Sequence, residues 1–338
     1  MNLPPSARPA WCEIDLDALH HNVSTIRAML APGVRFYAVC KNNAYGCGTQ
    51  ETARVMHAAA AVADMGVIAT IHDFDGLDAF ARTGRRVDVH VEVDCGYGRL
   101  GFTPGEWPEA FARLKRAANL HVVGLYTHLT AVEDPALVTP QAALFERAAA
   151  TAKAAGLENL ELMAASSRVL LGYPGLNLTA VNPGRILYGM MESPWLGKAD
   201  IRQVIRAIKS RVLQVKTIPA DFPVDDPRHR AAPGSLRTAV IAFGFKDGLP
   251  RQPEGGTVLV RGRRARIIGM RATEHTIIDV TDVPGVVAGD EVVVLGRQGS
   301  ETIDAHEVVA AYRMPMIELL PRMSLSMPRL YAGGAVQR

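Results

Sequence analysis

Residues 35–60 read RFYAVCKNNAYGCGTQETARVMHAAA. An apolar run with β-branched and aromatic character ends on a lysine, turns through glycines and continues into a segment of helical composition. That order predicts a β-strand carrying Lys41 at its C-terminal end and leading into a helix that ends near Ala60. Outward from this stretch the alternation repeats. Between about residues 33 and 190 the runs RFYAVC, VIATI, VDVHVEV, HVVGLYTH, LELMAA and LTAVN are separated by longer patterns such as PALVTPQAALFERAAATAKAAG. Strands alternating with helices imply a parallel sheet, and a long series of such units implies an α/β barrel of the TIM type. The barrel reads as incomplete, because about two of the eight expected strand–helix units are missing between Ala60 and VIATI. An open edge of this kind calls for a dimer contact or a covering helix.

After residue 205 the pattern changes. SRVLQVKTI, LRTAVIAFGF, GTVLVRG, ARIIGM, HTIIDVT and DEVVVLG are short strands separated by glycines, prolines and charged turns, which predicts an antiparallel β domain or small barrel. The division expected is a barrel over 10–204 and a β domain over 205–338, with PADFPVDDPRHRAAPG (219–234) as a polar loop early in the latter. The strand over 11–16, in WCEIDLDAL, has no place in the barrel and is a candidate to pair with the β domain.

The 338 residues are 48% hydrophobic and 21% charged with a formal net charge of +3, which fits a globular protein and excludes a disordered chain. Basic residues are mixed with acidic ones apart from clusters such as RGRRAR (261–266), so a nucleic-acid partner is not expected. No window approaches the ~18 apolar residues of a membrane span, and MNLPPSARPA lacks a signal-peptide core, so a cytoplasmic protein is expected. Cys12, Cys40, Cys47 and Cys95 have neither disulfide-framework nor zinc-site spacing; reduced thiols and no metal are expected.

Loops after the strand C-termini form the working face of such a barrel. Lys41, Arg99, His128, Ser166, Ser167 and the Asn182-Pro-Gly-Arg185 segment fall there. Spacing alone leaves a strand-end lysine as either a solvated side chain or a nucleophile able to form a Schiff base. The motifs AVCKNNAYGCG, VDCGYGRLGF, GLYTHLTAVED, NPGRILYG, GFKDGLPR and TIIDVTD, in this order and over nearly the whole chain, resemble those of the alanine racemases. The resemblance implies an isomerase that binds pyridoxal 5'-phosphate through Lys41, a small amino-acid substrate, and a homodimer whose active sites take residues from both subunits. It further implies that Tyr45, Ser167 and the backbone of Gly184 and Arg185 hold the phosphate, that His128 stacks on the pyridine ring, and that Arg99 contacts the region of the ring hydroxyl. Glu92 stands where many relatives carry a carbamylated lysine, which implies an ion pair between Glu92 and Arg99.

The chain departs from the racemase pattern in four places. Racemisation needs a proton carrier on each face of the substrate. Lys41 serves one; the tyrosine expected for the other is Phe245, which cannot carry a proton. Asn182 replaces the arginine expected at the pyridine nitrogen. Thr273-Glu274-His275 replaces a segment that helps hold the substrate carboxylate, so Thr273 and Glu274 are candidate substrate residues. Leu325 replaces a phosphate-binding tyrosine, with Tyr331 near it in sequence. Three readings follow. The first is a racemase whose second carrier is Lys246, Tyr97 or water. The second is a one-face enzyme such as an aldolase, lyase, decarboxylase or transaminase. The third is a cofactor-binding homologue without turnover.

Overall fold

The computed structural model describes residues 9–52, 68–223, 235–252 and 255–333. The end of the helix expected near Ala60 and most of the 219–234 loop lie outside these residues. Two sheets carry the fold. The first contains six parallel strands: β2 (Arg35–Phe36), β3 (Ala69–Ile71), β4 (Val87–Glu92), β5 (Leu120–Tyr126), β6 (Glu161–Ala165) and β7 (Ala180–Val181), in the order β2-β7-β6-β5-β4-β3. Among the described residues the edge strands β2 and β3 form no ladder with each other, and the six strands make up one parallel wall. The β2 segment stays alongside β7 beyond its ladder, with Tyr37 N donating to Val181 O at 2.9 Å and Val39 N to Pro183 O at 3.2 Å.

The second sheet joins β1 (Ala10–Asp15) to the C-terminal strands β8 (Ile205–Ile218), β9 (Leu236–Ile241), β10 (Thr257–Val260), β11 (Arg263–Ile268), β12 (Thr276–Asp279), β13 (Glu291–Gln298), β14 (Glu301–Ile303) and β15 (Arg329–Ala332). The ladders β8-β9-β12-β11-β10-β13 run antiparallel, and β13 pairs back to β8, closing a small barrel. Closure removes the exposed edges that an open antiparallel sheet would present. β1 lies between β8, antiparallel, and β15, parallel.

The longer helices of the described residues include α1 (Leu16–Ala28), α2 (Phe74–Arg82), α3 (Trp107–Arg116), α4 (Pro135–Ala154), α5 (Ser167–Gly172), α6 (Ala305–Tyr312) and α7 (Met316–Leu325). α1 illustrates why they form. The Asp15 carboxylate caps it by accepting from Ala18 N at 2.9 Å, and Leu16, Leu19, Val23 and Ile26 recur at helical spacing as a buried stripe. Asn22 on the same helix is fully buried, yet its amide group donates to Leu187 O and Arg202 O and accepts from Arg202 N. With its polar atoms satisfied, it fixes the register of α1 without a desolvation cost.

Candidate active site

The loops after β2, β4, β5, β6 and β7 converge on a cleft of about 400 Å³ lined by Lys41, Tyr45, Tyr97, Arg99, His128, Thr130, Ser166, Ser167, Arg168, Asn182, Gly184 and Arg185, with Ile317 of α7 at its edge. The sequence-derived residues Lys41, Tyr45, Arg99, His128, Ser167, Asn182, Gly184 and Arg185 are thus brought together. Lys41, Arg99, Arg168 and Arg185 give the lining four cations, and none of the described lining residues is acidic. Such a cleft attracts an anion.

The turn that presents Lys41 differs from the expected glycine turn. Asn42, Asn43, Ala44 and Tyr45 all adopt left-handed φ near +50°, before Gly46 at +88° and Gly48 at +94°. Each left-handed residue that is not glycine costs roughly 1–2 kcal/mol, so the surroundings must enforce the shape. Several contacts do. Arg329 Nε donates to Gly46 O at 2.6 Å, Gly48 N to Asn43 O at 2.9 Å and Thr49 N to Asn43 Oδ1 at 2.9 Å. Ala44 and Tyr45 are buried, and the Tyr45 ring packs on Tyr188 with centroids 5.0 Å apart. Strain of this kind concentrates where a side chain must be aimed.

The VDCGYGRLGF loop is held by Asp94, whose carboxylate accepts from the backbone amides of Gly96 and Tyr97 at 2.8 Å and of Arg99 at 3.1 Å. Gly101, at φ +107°, lets the chain fold back on β4, where Phe102 N donates to Glu92 O at 3.0 Å; a Cβ there would sit 2.7 Å from Asp94 N. The loop thereby delivers Tyr97 and Arg99 to the cleft. The Arg99 guanidinium lies 4.4 Å from the centre of the Tyr97 ring, which forms a T-shaped pair with His128, centroids 5.4 Å apart. The implied ion pair between Glu92 and Arg99 is replaced by other contacts. The buried Glu92 accepts from the Tyr126 hydroxyl at 2.8 Å, because β4 and β5 are paired with Glu92 opposite Tyr126, while Arg99 turns onto Tyr97.

At the other end of the cleft, the buried Ser167 oxygen accepts from Gly184 N at 2.9 Å and Ile186 N at 3.3 Å, which leaves its O–H as a donor. The Tyr45 hydroxyl rests so close to Gly184 that a Cβ would lie 2.5 Å from it, so a larger residue there would displace the Tyr45 hydroxyl. Burial raises the Tyr45 pKa, keeping a protonated donor beside Arg185. Hydroxyl donors, arginines and a glycine backbone at this end suit a phosphate.

Burial first, and then the charges of Arg99, Lys41, Arg168 and Arg185, lower the His128 pKa from 6.5 to about 4. Its ring is therefore neutral near pH 7. Because the folded value lies below the unfolded one, the unfolded chain takes up the proton first on acidification; stability is full above pH 6.5 and declines as pH falls toward 4. We expect about 3 kcal/mol of acid-linked loss from this group in the cofactor-free protein. His128→Asn should flatten urea-melt stability over that window, and an unchanged slope would remove the imidazole as its source.

Several sequence-derived residues stand apart. Phe245 lines a different groove, with Lys246, Arg251, Arg322 and Leu325, and is 37% exposed. Thr273 and Glu274 are on the same side: Lys246 N donates to Thr273 O at 3.0 Å, and the Lys246 and Glu274 side chains form an ion pair. Tyr331 does not join the cleft lining; its hydroxyl packs against Gly48. Arg168 and Thr130 were not anticipated from sequence. Arg168 follows the serine pair at the start of α5 and pairs with Glu133, which also accepts from Trp195 Nε1 at 3.1 Å. The buried Gln141 steadies the Thr130 loop, accepting from Thr130 N at 2.9 Å.

A parallel barrel wall with a lysine-bearing, cationic cleft, joined to a small antiparallel barrel, defines a two-domain α/β-barrel enzyme. The family pattern "Alanine racemase, N-terminal domain" matches residues 14–65 and 56–192, and "Alanine racemase, C-terminal domain" matches 205–331. The chain belongs to the alanine racemase family. The alanine racemase of Desulfosudis oleivorans is 31% identical, the alignment covering 96% of this chain and 97% of that protein. That of Nostoc sp. is 29% identical, over 95% of each. Among solved structures, alanine racemase from Streptomyces lavendulae superposes with a TM-score of 0.88 at 26% identity over 98% of both chains. The Bacillus anthracis enzyme shares the fold with a TM-score of 0.87 at 22% identity, over 98% of this chain and 97% of that one.

Proposed function

We propose that this chain racemises a small amino acid, alanine first among candidates, with pyridoxal 5'-phosphate held in the Lys41 cleft. The observation that carries the reading is the meeting of Lys41, a four-cation lining without described acids, and the Tyr45–Gly184 contact in one cleft of a chain that matches the racemase family in both domains. The donor set fits the cofactor. Tyr45, Ser167, Arg185 and the Gly184 backbone would hold its phosphate, neutral His128 would lie against its ring, and Asn182 would face the pyridine nitrogen. When bound, the cofactor supplies an electron sink for the negative charge that develops at Cα.

The protein's part is to bind, orient and move protons. Lys41 Nζ takes or returns the Cα proton on one side. Arg99 and Arg168 offer charge to the substrate carboxylate. Phe245, Thr273 and Glu274 lie outside their own chain's Lys41 cleft on an exposed part of the β domain, which supports a homodimer in which they complete the partner's site. No described helix is long and apolar enough to cross a membrane. The one-face and non-catalytic readings draw support from Phe245, but the full-length match and the assembled cleft weigh against them.

The test is proton NMR of the cofactor-loaded protein in heavy water, with L- and D-alanine offered separately. Loss of the Cα proton signal with appearance of the opposite enantiomer is expected from both. Exchange with retention, or cleavage or decarboxylation, would replace the racemase reading with one-face chemistry; no reaction with any small amino acid would leave a non-catalytic homologue.

A further inference from the structure

We infer that Tyr97 is the proton carrier on the side of the cleft opposite Lys41, taking the part that Phe245 cannot. The inference rests on the racemase reading above. Topology separates the two groups: Lys41 follows β2, Tyr97 follows β4, and β7, β6 and β5 lie between those strands in the sheet. The residues after the intervening strands, Asn182, Ser167 and His128, line the same cleft. A substrate resting over them has the amine of Lys41 on one flank and the phenol of Tyr97 on the other.

Tyr97 is held but not used up. Its amide is fixed by Asp94, its ring contacts the Arg99 guanidinium and, in a T-shaped arrangement, His128, and it is 40% exposed. Among the described residues its hydroxyl has no hydrogen-bond partner. The other candidates fail on geometry or chemistry. Lys246 is outside the cleft and paired with Glu274. Tyr45 is buried against Gly184 and Tyr188. Thr130, Ser166 and Ser167 are aliphatic alcohols, whose protons are held too tightly for this exchange.

The proton balance closes. In one direction the Cα–H bond breaks to Lys41 Nζ, and a new Cα–H bond forms on the far side from the Tyr97 O–H. A lysine ammonium and a tyrosine phenoxide remain. The Arg99 cation, 4.4 Å from the ring centre, is the phenoxide's counter-charge, and a proton passed through water from ammonium to phenoxide restores both. The reverse direction exchanges the two roles.

Two measurements test the assignment. Tetranitromethane treatment of the cofactor-free protein, followed by peptide mass mapping, should nitrate Tyr97 and spare Tyr45. Pyridoxal phosphate together with alanine should protect Tyr97; equal nitration with and without them would place the phenol away from bound substrate and overturn the proposal. In the loaded protein, Tyr97→Phe should keep the cofactor absorbance while inversion falls by about 100-fold or more. For one enantiomer of alanine, Cα exchange with solvent should persist with retention, because Lys41 still serves its side. Inversion within about threefold of the unaltered protein would overturn the Tyr97 role and leave the racemase reading intact. Absence of inversion in the unaltered protein would sink both.

Discussion

Lys41→Ala will give a folded protein without the visible absorbance of lysine-linked pyridoxal phosphate, and with racemisation reduced by about 1,000-fold or more. Lys41 is exposed at the cleft and no described carboxylate pairs with it, so its removal disturbs little packing and stability should change by less than about 0.5 kcal/mol. Chemistry suffers instead, because the same amine is the attachment point and one of the two proton carriers. The absorbance spectrum after incubation with cofactor, together with a urea melt, separates the two effects. An unchanged spectrum in a folded variant would remove the lysine from its assigned role.

Gly46→Ala will cost about 2–4 kcal/mol of stability. Gly46 sits at φ +88° immediately after the left-handed turn, and a Cβ there would lie 2.0 Å from Ser324 Oγ and 3.0 Å from Pro321 Cα. The serine side chain can rotate away; the backbone of α7 cannot. The turn must therefore shift, taking Lys41 with it, so cofactor uptake should weaken in parallel. Gly33→Ala is the control. It has a similar φ of +84° with nothing within 4 Å, and should show the conformational cost alone, about 1 kcal/mol. Equal melts for the two variants would mean that α7 does not confine the turn.

Periodicity made the two kinds of sheet legible. β-branched runs separated by helices marked the parallel wall, and short strands between glycines and prolines marked the antiparallel part. Most cleft residues were legible for a related reason, since a strand's C-terminal end is a position that sequence can locate. What escaped depends on contacts between distant residues. The asparagines at 42 and 43 tolerate left-handed backbone, but nothing local requires it of Ala44 and Tyr45; Arg329 and α7, far along the chain, impose it. The partner of Glu92 is set by the register of β4 against β5, which an ion-pair expectation drawn from the family resemblance does not contain. The separation of Phe245 from Lys41 is likewise a fact of topology.

The position of β1 has a consequence for how the chain is made. This earliest of the described strands pairs Ala10 with Ser210 and Cys12 with Arg329. During synthesis it must wait for nearly the entire chain to leave the ribosome before its neighbours exist. Contacts of such long sequence separation form slowly and leave apolar surface exposed meanwhile. Arg329, which ties down Gly46, arrives at the same late moment. Assembly of the lysine turn, and with it competence to take up a cofactor, is therefore a late event that reports on completion of the whole molecule.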